Sequence, residues 1–275
     1  MARVLSYMDK DTWIHRLSGL TKLLFFLLWS VTSMITYDTR VLVVMLVISI
    51  VIFKVSKTEW KQVGTVFKFI LLFLVLNLIA IYVFSPHQGT LIYGSNTELY
   101  KLVGNYTITA EQLFYEFNVV LKYLTVIPAV FMFIVTTDPS EFAASLSRLG
   151  ISYNIGYAVA IALRYVPDVQ NDYIKIKHAQ EARGIEMSSK AKLSDRIKST
   201  AAILFPLIFT SMDRIDTVSN AMQLRGFGKY KKRTWYSGRP LKRNDYIVLT
   251  FTIVFCIASL IITFSKGSRF YNPFV

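Results

Sequence analysis

Cysteine is nearly missing from this chain: Cys256 stands alone among 275 residues. That excludes an intramolecular disulfide and any cysteine cluster for a metal. Cys256 lies inside an apolar run and reads as a small core or lipid-facing residue. The three histidines, His15, His87 and His178, are far apart and share no ligand spacing, so no metal and no cofactor is expected. No G-x-x-x-x-G-K-[ST] phosphate loop occurs, and Gly226-Phe227-Gly228-Lys229 is too short to be one, so the chain is not expected to be an ATPase. No nucleophile elbow or other local sign of a catalytic triad is present, and the chain reads as a non-enzyme. Charge is also scarce. Only 17% of residues are charged, against about 25% in an ordinary soluble domain. Acidic charge is scarcest, with 17 Asp and Glu against 31 Lys and Arg, a net of +14.

What is present is apolar. Hydrophobic residues make up 53% of the chain and aromatics 15%, with a mean hydropathy of +0.44. That composition predicts an all-α polytopic membrane protein in a lipid bilayer. Its positive excess is then expected on cytoplasmic loops as an orientation signal, and no nucleic-acid partner is expected. The first apolar run lies behind Asp9, Lys10, Asp11, His15 and Arg16, with no small-residue cleavage pattern after it, so it reads as an uncleaved span.

About five spans are expected. Leu23 to Ile35, extended by Leu20, and Val41 to Phe53 flank the turn at Tyr37-Asp38-Thr39-Arg40 and read as a helical hairpin. Each is shorter than the ~20 residues a span needs. Their flanks are expected to lengthen them, with Trp13 and Trp29 at an interface and Lys22 and Lys54 snorkelling. A basic connection, Lys54 to Lys68, leads to the clearest run, Phe69 to Phe84. Its one strongly polar residue, Asn77, reads as an interhelical hydrogen bond or a ligand contact. The polar loop Ser85 to Glu116 carries Gly89, Gly94 and Gly104, and Phe117 to Val135 follows with Lys122 near its outer end and Pro128 predicting a kink. Tyr246 to Phe264 is the last span. Arg3, Lys10, Arg16 and Lys22 set the N-terminus in the cytoplasm, which leaves the Lys54–Lys68 connection inside and the Ser85–Glu116 loop outside. The expected division is residues 1–137 as an N-terminal membrane domain, 138–243 as a cytoplasmic helical domain and 244–275 as the final span.

The middle region carries 18 Lys and Arg against nine Asp and Glu, and its two apolar runs are too short to span. It reads as amphipathic helices on and under the membrane. Val166, Val169, Tyr173 and Ile176 recur at helical spacing before Ala182-Arg183-Gly184. Met212, Ile215, Val218 and Met222 do the same before Leu224-Arg225-Gly226. Arg183 lies seven residues beyond Ile176 and Arg225 seven beyond Val218, so each arginine continues the apolar stripe of its own helix. The following glycine suits a helix C-terminus. Two readings stand side by side: two basic residues before helix caps, or two docking points for a partner with two similar sites. Arginine favours the second, because its fork binds carboxylates and carbonyls in ways lysine does less well. The basic run Lys229-Tyr230-Lys231-Lys232-Arg233 reads as a headgroup contact or an orientation signal.

Four stretches together resemble the transmembrane T component (EcfT) of energy-coupling factor transporters, a branch of the ABC transporters. They are His15-Arg16-Leu17 with Thr21-Lys22-Leu23-Leu24; Thr136-Thr137-Asp138-Pro139 with Ser145-Leu146 to Gly150; Ala162-Leu163-Arg164-Tyr165-Val166-Pro167; and the paired Ala182-Arg183-Gly184 and Leu224-Arg225-Gly226. Leu224 stands where the family often has alanine. The resemblance implies a non-catalytic scaffold in a prokaryotic cell membrane, with the N-terminus and coupling domain cytoplasmic. It implies two ATP-binding ABC ATPase subunits docked on Arg183 and Arg225, with Ala182, Gly184, Leu224 and Gly226 setting the fit. A separate membrane S component would bring a vitamin or other micronutrient. The alternatives are a self-sufficient ABC permease, or a T component dedicated to a metal or the cobalamin pathway that binds its substrate directly.

Overall fold

The computed structural model describes residues 7, 10–101, 106–184, 193–230, 234–265 and 267–274. The expectations for Arg3, Asp9, Gly104 and Lys231 to Arg233 lie outside them. The chain divides into two units, residues 1–141 with 239–275, and residues 142–238.

The first unit is built on apolar helices. α1 (Gly19–Ile35) and α2 (Thr39–Val55) follow one another across the turn at residues 36–38, but the expected hairpin is opened: α1 packs mainly on α9 and α5, α2 mainly on α5, and Trp29 reaches across to Ser49. Ser18 caps α1 by accepting from the Thr21 amide, and Asp38 caps α2 by accepting from the Arg40 amide. At 17 residues each, they sit at the lower limit of spanning length. α3 (Trp60–Phe84), α5 (Ala110–Thr136) and α9 (Arg243–Phe264) are long and apolar enough to cross a membrane. Between α3 and α5 lie the short α4 (Gln88–Tyr93) and an antiparallel pair, β1 (Glu98–Lys101) with β2 (Thr107–Thr109).

Two boundaries differ most from the sequence reading. α5 starts seven residues earlier than Phe117, because the Thr109 hydroxyl caps it by accepting from the Gln112 amide. α3 starts at Trp60, so Lys61 and Lys68 lie on the helix and the connection shortens to Ser56–Glu59. α5 runs through Pro128.

α5 is the centre of this unit. α1, α2 and α3 all pack on it, and α9 packs on α1. Phe25 and Trp29 of α1, Met45 of α2, and Ala129 and Met132 of α5 form one buried cluster. Trp29 is fully buried, not interfacial: its ring stacks on Phe25 and Phe255, and its Nε1 donates to Ser49 Oγ at 2.8 Å. The indole N–H therefore finds its partner inside the protein, which removes the reason to sit at the headgroups. Cys256 is also buried, so it belongs to the core. Asn77 is exposed on α3, and no bond from it to another helix is found among the described residues.

Lys22 does not snorkel either. It is 1% exposed, and its Nζ donates to the Thr136 carbonyl at 2.6 Å, the last residue of α5. Lys122 of α5 does the converse, donating to the Met34 carbonyl near the end of α1 at 2.8 Å and lying over the Tyr37 ring. The two helices are antiparallel, and each places a buried ammonium at the negative C-terminal end of the other.

A polar hub surrounds the start of α1. Asp245 of α9 accepts from the Ser18 amide at 2.7 Å and the Thr21 hydroxyl at 2.8 Å through Oδ1, and from the Lys242 amide at 2.8 Å through Oδ2. Glu141 accepts from the Gly19 amide at 2.7 Å and lies 3.8 Å from Arg239 Nε. Arg239 Nη1 donates to the His15 carbonyl at 2.7 Å. The exposed amides of a helix N-terminus are thus met by two buried carboxylates.

In the second unit, α6 (Pro139–Arg148, which begins in the first unit) leads to two long helices, α7 (Tyr153–Ala182) and α8 (Leu193–Leu224). Both run through an internal proline, Pro167 and Pro206. Neither is among the helices apolar enough to span.

Candidate functional site

The two Arg-Gly phrases terminate α7 and α8, and the described residues of both ends share a left-handed glycine whose amide bonds the carbonyl three residues before it. Arg183 is the C-cap of α7, its amide bonded to the carbonyls of Ala179 and Gln180, and the Gly184 amide bonds the Glu181 carbonyl. At the end of α8 the Arg225 amide bonds the Ala221 carbonyl, the Gly226 amide the Gln223 carbonyl, and the Phe227 amide the Met222 carbonyl. That pair of crossed bonds is a Schellman cap. It needs a left-handed residue just after the arginine, and Gly226 supplies it at φ +69°; Gly184 has the same conformation at φ +82°. Both arginines are exposed. Leu224, beside Arg225, is 90% exposed, whereas its counterpart Ala182 offers only a methyl group.

The structure does not bring the two phrases together. α7 and α8 pack antiparallel: Gln180 Nε2 bonds the Ala202 carbonyl, Arg214 pairs with Asp172 at 2.5 Å, and Phe227 meets Tyr153 and Tyr157. Arg183 therefore sits beside the first half of α8 and Arg225 beside the start of α7. The rise of α8 from Ala202 to Arg225 separates the two tips by about 35 Å. One small ligand cannot touch both, whereas two sites on a larger partner can.

Four of the eight apolar stripe residues read from the sequence are exposed, Tyr173 at 41% among them. Val166 is 49% exposed, Met212 55% and Ile215 64%. Between the helices runs a groove of about 440 Å³, lined by Ile161, Tyr165, Val169, Ile215, Val218 and Met222 among others. The phrase Ala162 to Pro167 lies in the middle of α7, and its Tyr165 faces the Arg214 guanidinium at 5.7 Å.

Sequence reading missed the support behind the second tip. Phe227 packs on Tyr157 with ring centroids 4.7 Å apart, and Trp235 packs on Tyr153 at 5.3 Å. A Cβ at Gly156 would come within 3.3 Å of the Trp235 ring and 3.2 Å of the Ala143 carbonyl, so glycine lets α7 pack closely here. The aromatic excess around Tyr153 and Phe227 was the available signal. The Asp172–Arg214 pair was missed too, because nothing local marks a pairing across two helices.

Comparisons with known proteins place the chain in a family. A family profile described as "CbiQ: Cobalt transport protein" matches residues 10–236. Similar curated proteins include the energy-coupling factor transporter transmembrane protein EcfT of Clostridium kluyveri, 28% identical over 92% of this chain and 94% of that protein. The EcfT of Leuconostoc gelidum subsp. gasicomitatum is 26% identical over 93% and 95%, and that of Staphylococcus aureus 24% over 94% and 96%. The likeness to energy-coupling factor T components read from four short stretches thus extends over nearly the whole chain, and the chain belongs to the CbiQ family of transport proteins.

Proposed function

We propose that this chain is the non-catalytic membrane scaffold of an energy-coupling factor importer, with residues 142–238 as its cytoplasmic coupling domain. Two ABC ATPase subunits dock on the tips of α7 and α8. Arg183 and Arg225 are the anchors, and Ala182, Gly184, Leu224 and Gly226 set the fit. A separate membrane subunit carries the substrate. The reading rests on one observation above all: two exposed Arg-Gly helix ends, each with a left-handed glycine bonded back to the last turn, at far ends of one antiparallel helix pair, a spacing suited to two like subunits side by side.

The chemistry follows from the caps. A guanidinium at the negative end of a long helix is electrostatically favoured, and its planar fork can bind carboxylates and carbonyls of a partner. The glycine that follows carries no side chain and lets a partner surface approach closely. ATP-driven closure of the ATPase pair changes the distance between the two grips. α7 and α8 are rigid on the scale of a helix, so they pass that displacement to the substrate subunit; binding does the coupling and no covalent step occurs on this chain.

Replacing Arg183 or Arg225 with Glu tests the proposal in the co-expressed complex. The expected result is at least a tenfold loss of ATPase subunits co-purifying, or hydrolysis that no longer drives uptake, with the membrane helices still inserted. Arg→Lys at either site should be intermediate. Unchanged ATPase content together with normal uptake in both Glu variants would refute it.

A further inference from the structure

The stretch from His15 to Lys22 is a motif that tip docking leaves unused. The chain passes from the first unit to the second after Glu141 and returns at Arg239, so the 97 residues of Phe142–Gly238 hang on those two crossings. The crossings are not independent. Glu141 and Arg239 lie 3.8 Å apart. Each is also fixed to the same short stretch, Glu141 to the Gly19 amide and Arg239 to the His15 carbonyl. Glu141 is 4% exposed, so its carboxylate is held away from water and its partners hold it in place. Asp245 ties the start of α9 to the adjacent Ser18 amide, and Lys22 ties the end of α5 to the same turn of α1.

We propose that this hub is a fulcrum: Glu141 and Arg239 act as positioning residues that hold both crossings at one point on α1, so that movement of the segment between them turns about that point. Without such a tie the two crossings could slide separately, and displacement of the helix tips would dissipate in the connections. With it, displacement passes to α1, α5 and α9, which all meet there. The inference rests on the proposed coupling role. It concerns how motion is passed on, whereas docking concerns where it enters.

The experiment uses the whole complex in proteoliposomes, with Glu141→Gln, Arg239→Gln and the double variant. Three quantities are read: ATPase subunits bound, ATP hydrolysed, and substrate taken up per ATP. The expected result is ATPase content and hydrolysis within twofold of the unaltered complex, with uptake per ATP at least tenfold lower. The double variant should be no worse than the worse single, because both break one tie. Arg239→Lys should recover part of the uptake. Unchanged uptake per ATP overturns the proposal, and so does a parallel loss of bound ATPases and uptake, which would make the hub a folding element only. A second measurement needs no variant. Hydrogen exchange of the unaltered complex should show the amides at 18 and 19 equally protected with and without ATP, while peptides at the ends of α7 and α8 change. Opening of the amides at 18 and 19 on ATP binding would refute a fixed fulcrum. Loss of docking in the Arg183 and Arg225 variants is read separately, so either idea can fail alone.

Discussion

Both regions of the molecule place a cation at a helix C-terminus, and they do so in opposite ways. In the first unit Lys22 and Lys122 are buried, and each bonds a carbonyl at the end of a neighbouring helix. In the second unit Arg183 and Arg225 end their own helices and remain exposed. The electrostatic preference is the same, positive charge beside the negative helix end. The consequence differs. A buried ammonium with a single carbonyl partner holds two helices in register and is closed to other ligands. An exposed guanidinium at a helix end stays reachable from outside, and its planar fork suits carboxylates and carbonyls. Lysine suits the first task because a compact point charge on a long stem can reach one carbonyl, and arginine suits the docking proposed above because recognition gains from several donors in one plane.

The strongest way to break the comparison is Lys22→Met. This removes a buried donor and leaves the Thr136 carbonyl unbonded beside Glu141 and Asp245, carboxylates whose charge Lys22 helps to balance. Removing one member of a buried charged group costs about 3–5 kcal/mol. Unfolding of the purified protein in detergent should show a loss of that order. Full stability in the variant would mean the lysine is not a structural tie.

Lys122→Met should cost less, about 2 kcal/mol, because only a carbonyl bond and a ring contact are lost. The same unfolding measurement decides the ranking, and a larger loss here than at Lys22 would reverse the account of which end of the α1–α5 pair is tied harder.

How much of this was legible beforehand depends on whether the signal is local. Runs such as Phe69 to Phe84 and Tyr246 to Phe264 announce apolar helices by length alone. An arginine followed by glycine announces a helix end, because the left-handed turn after it is a property of the chain itself. Lys22 and Trp29 were misread as interfacial because depth depends on which neighbour covers them. The Thr136 carbonyl and Ser49 hydroxyl that do so are 114 and 20 residues away. The start of α5 was placed too late because its first turns, Ala110 to Glu116, are polar enough to pass for loop. Asn77 was read as an interhelical bond or a ligand contact, yet α3 leaves it exposed within this chain, and composition says nothing about which side of a helix goes uncovered.

The arginine side of the comparison is sharpened first through its glycines. Gly226→Ala puts a methyl group on a residue at φ +69°, and that methyl would meet no other atom within 4 Å. Any cost is therefore backbone strain, about 1 kcal/mol. It should appear as fraying at the end of α8, read by hydrogen exchange of the last-turn amides, and as a few-fold weaker hold on ATPase subunits. Gly184→Ala should behave alike at the end of α7, since it shares the positive φ and the open surroundings.

The smallest expected effect on the fold is the most telling. Arg183 is exposed at the tip of α7, and the cap there is made by backbone groups. Arg183→Ala should therefore change unfolding stability by less than about 0.5 kcal/mol, the usual range for a surface substitution. The same variant should lose most of its ATPase subunit at that tip, because the fork of donors is gone while the cap persists. A large stability loss would place Arg183 with the lysines, as a tie within the chain. A near-zero loss with intact docking would leave the arginine with no task at either level. Only the combination of an unchanged fold and a lost partner fits a cation held at a helix end for another molecule.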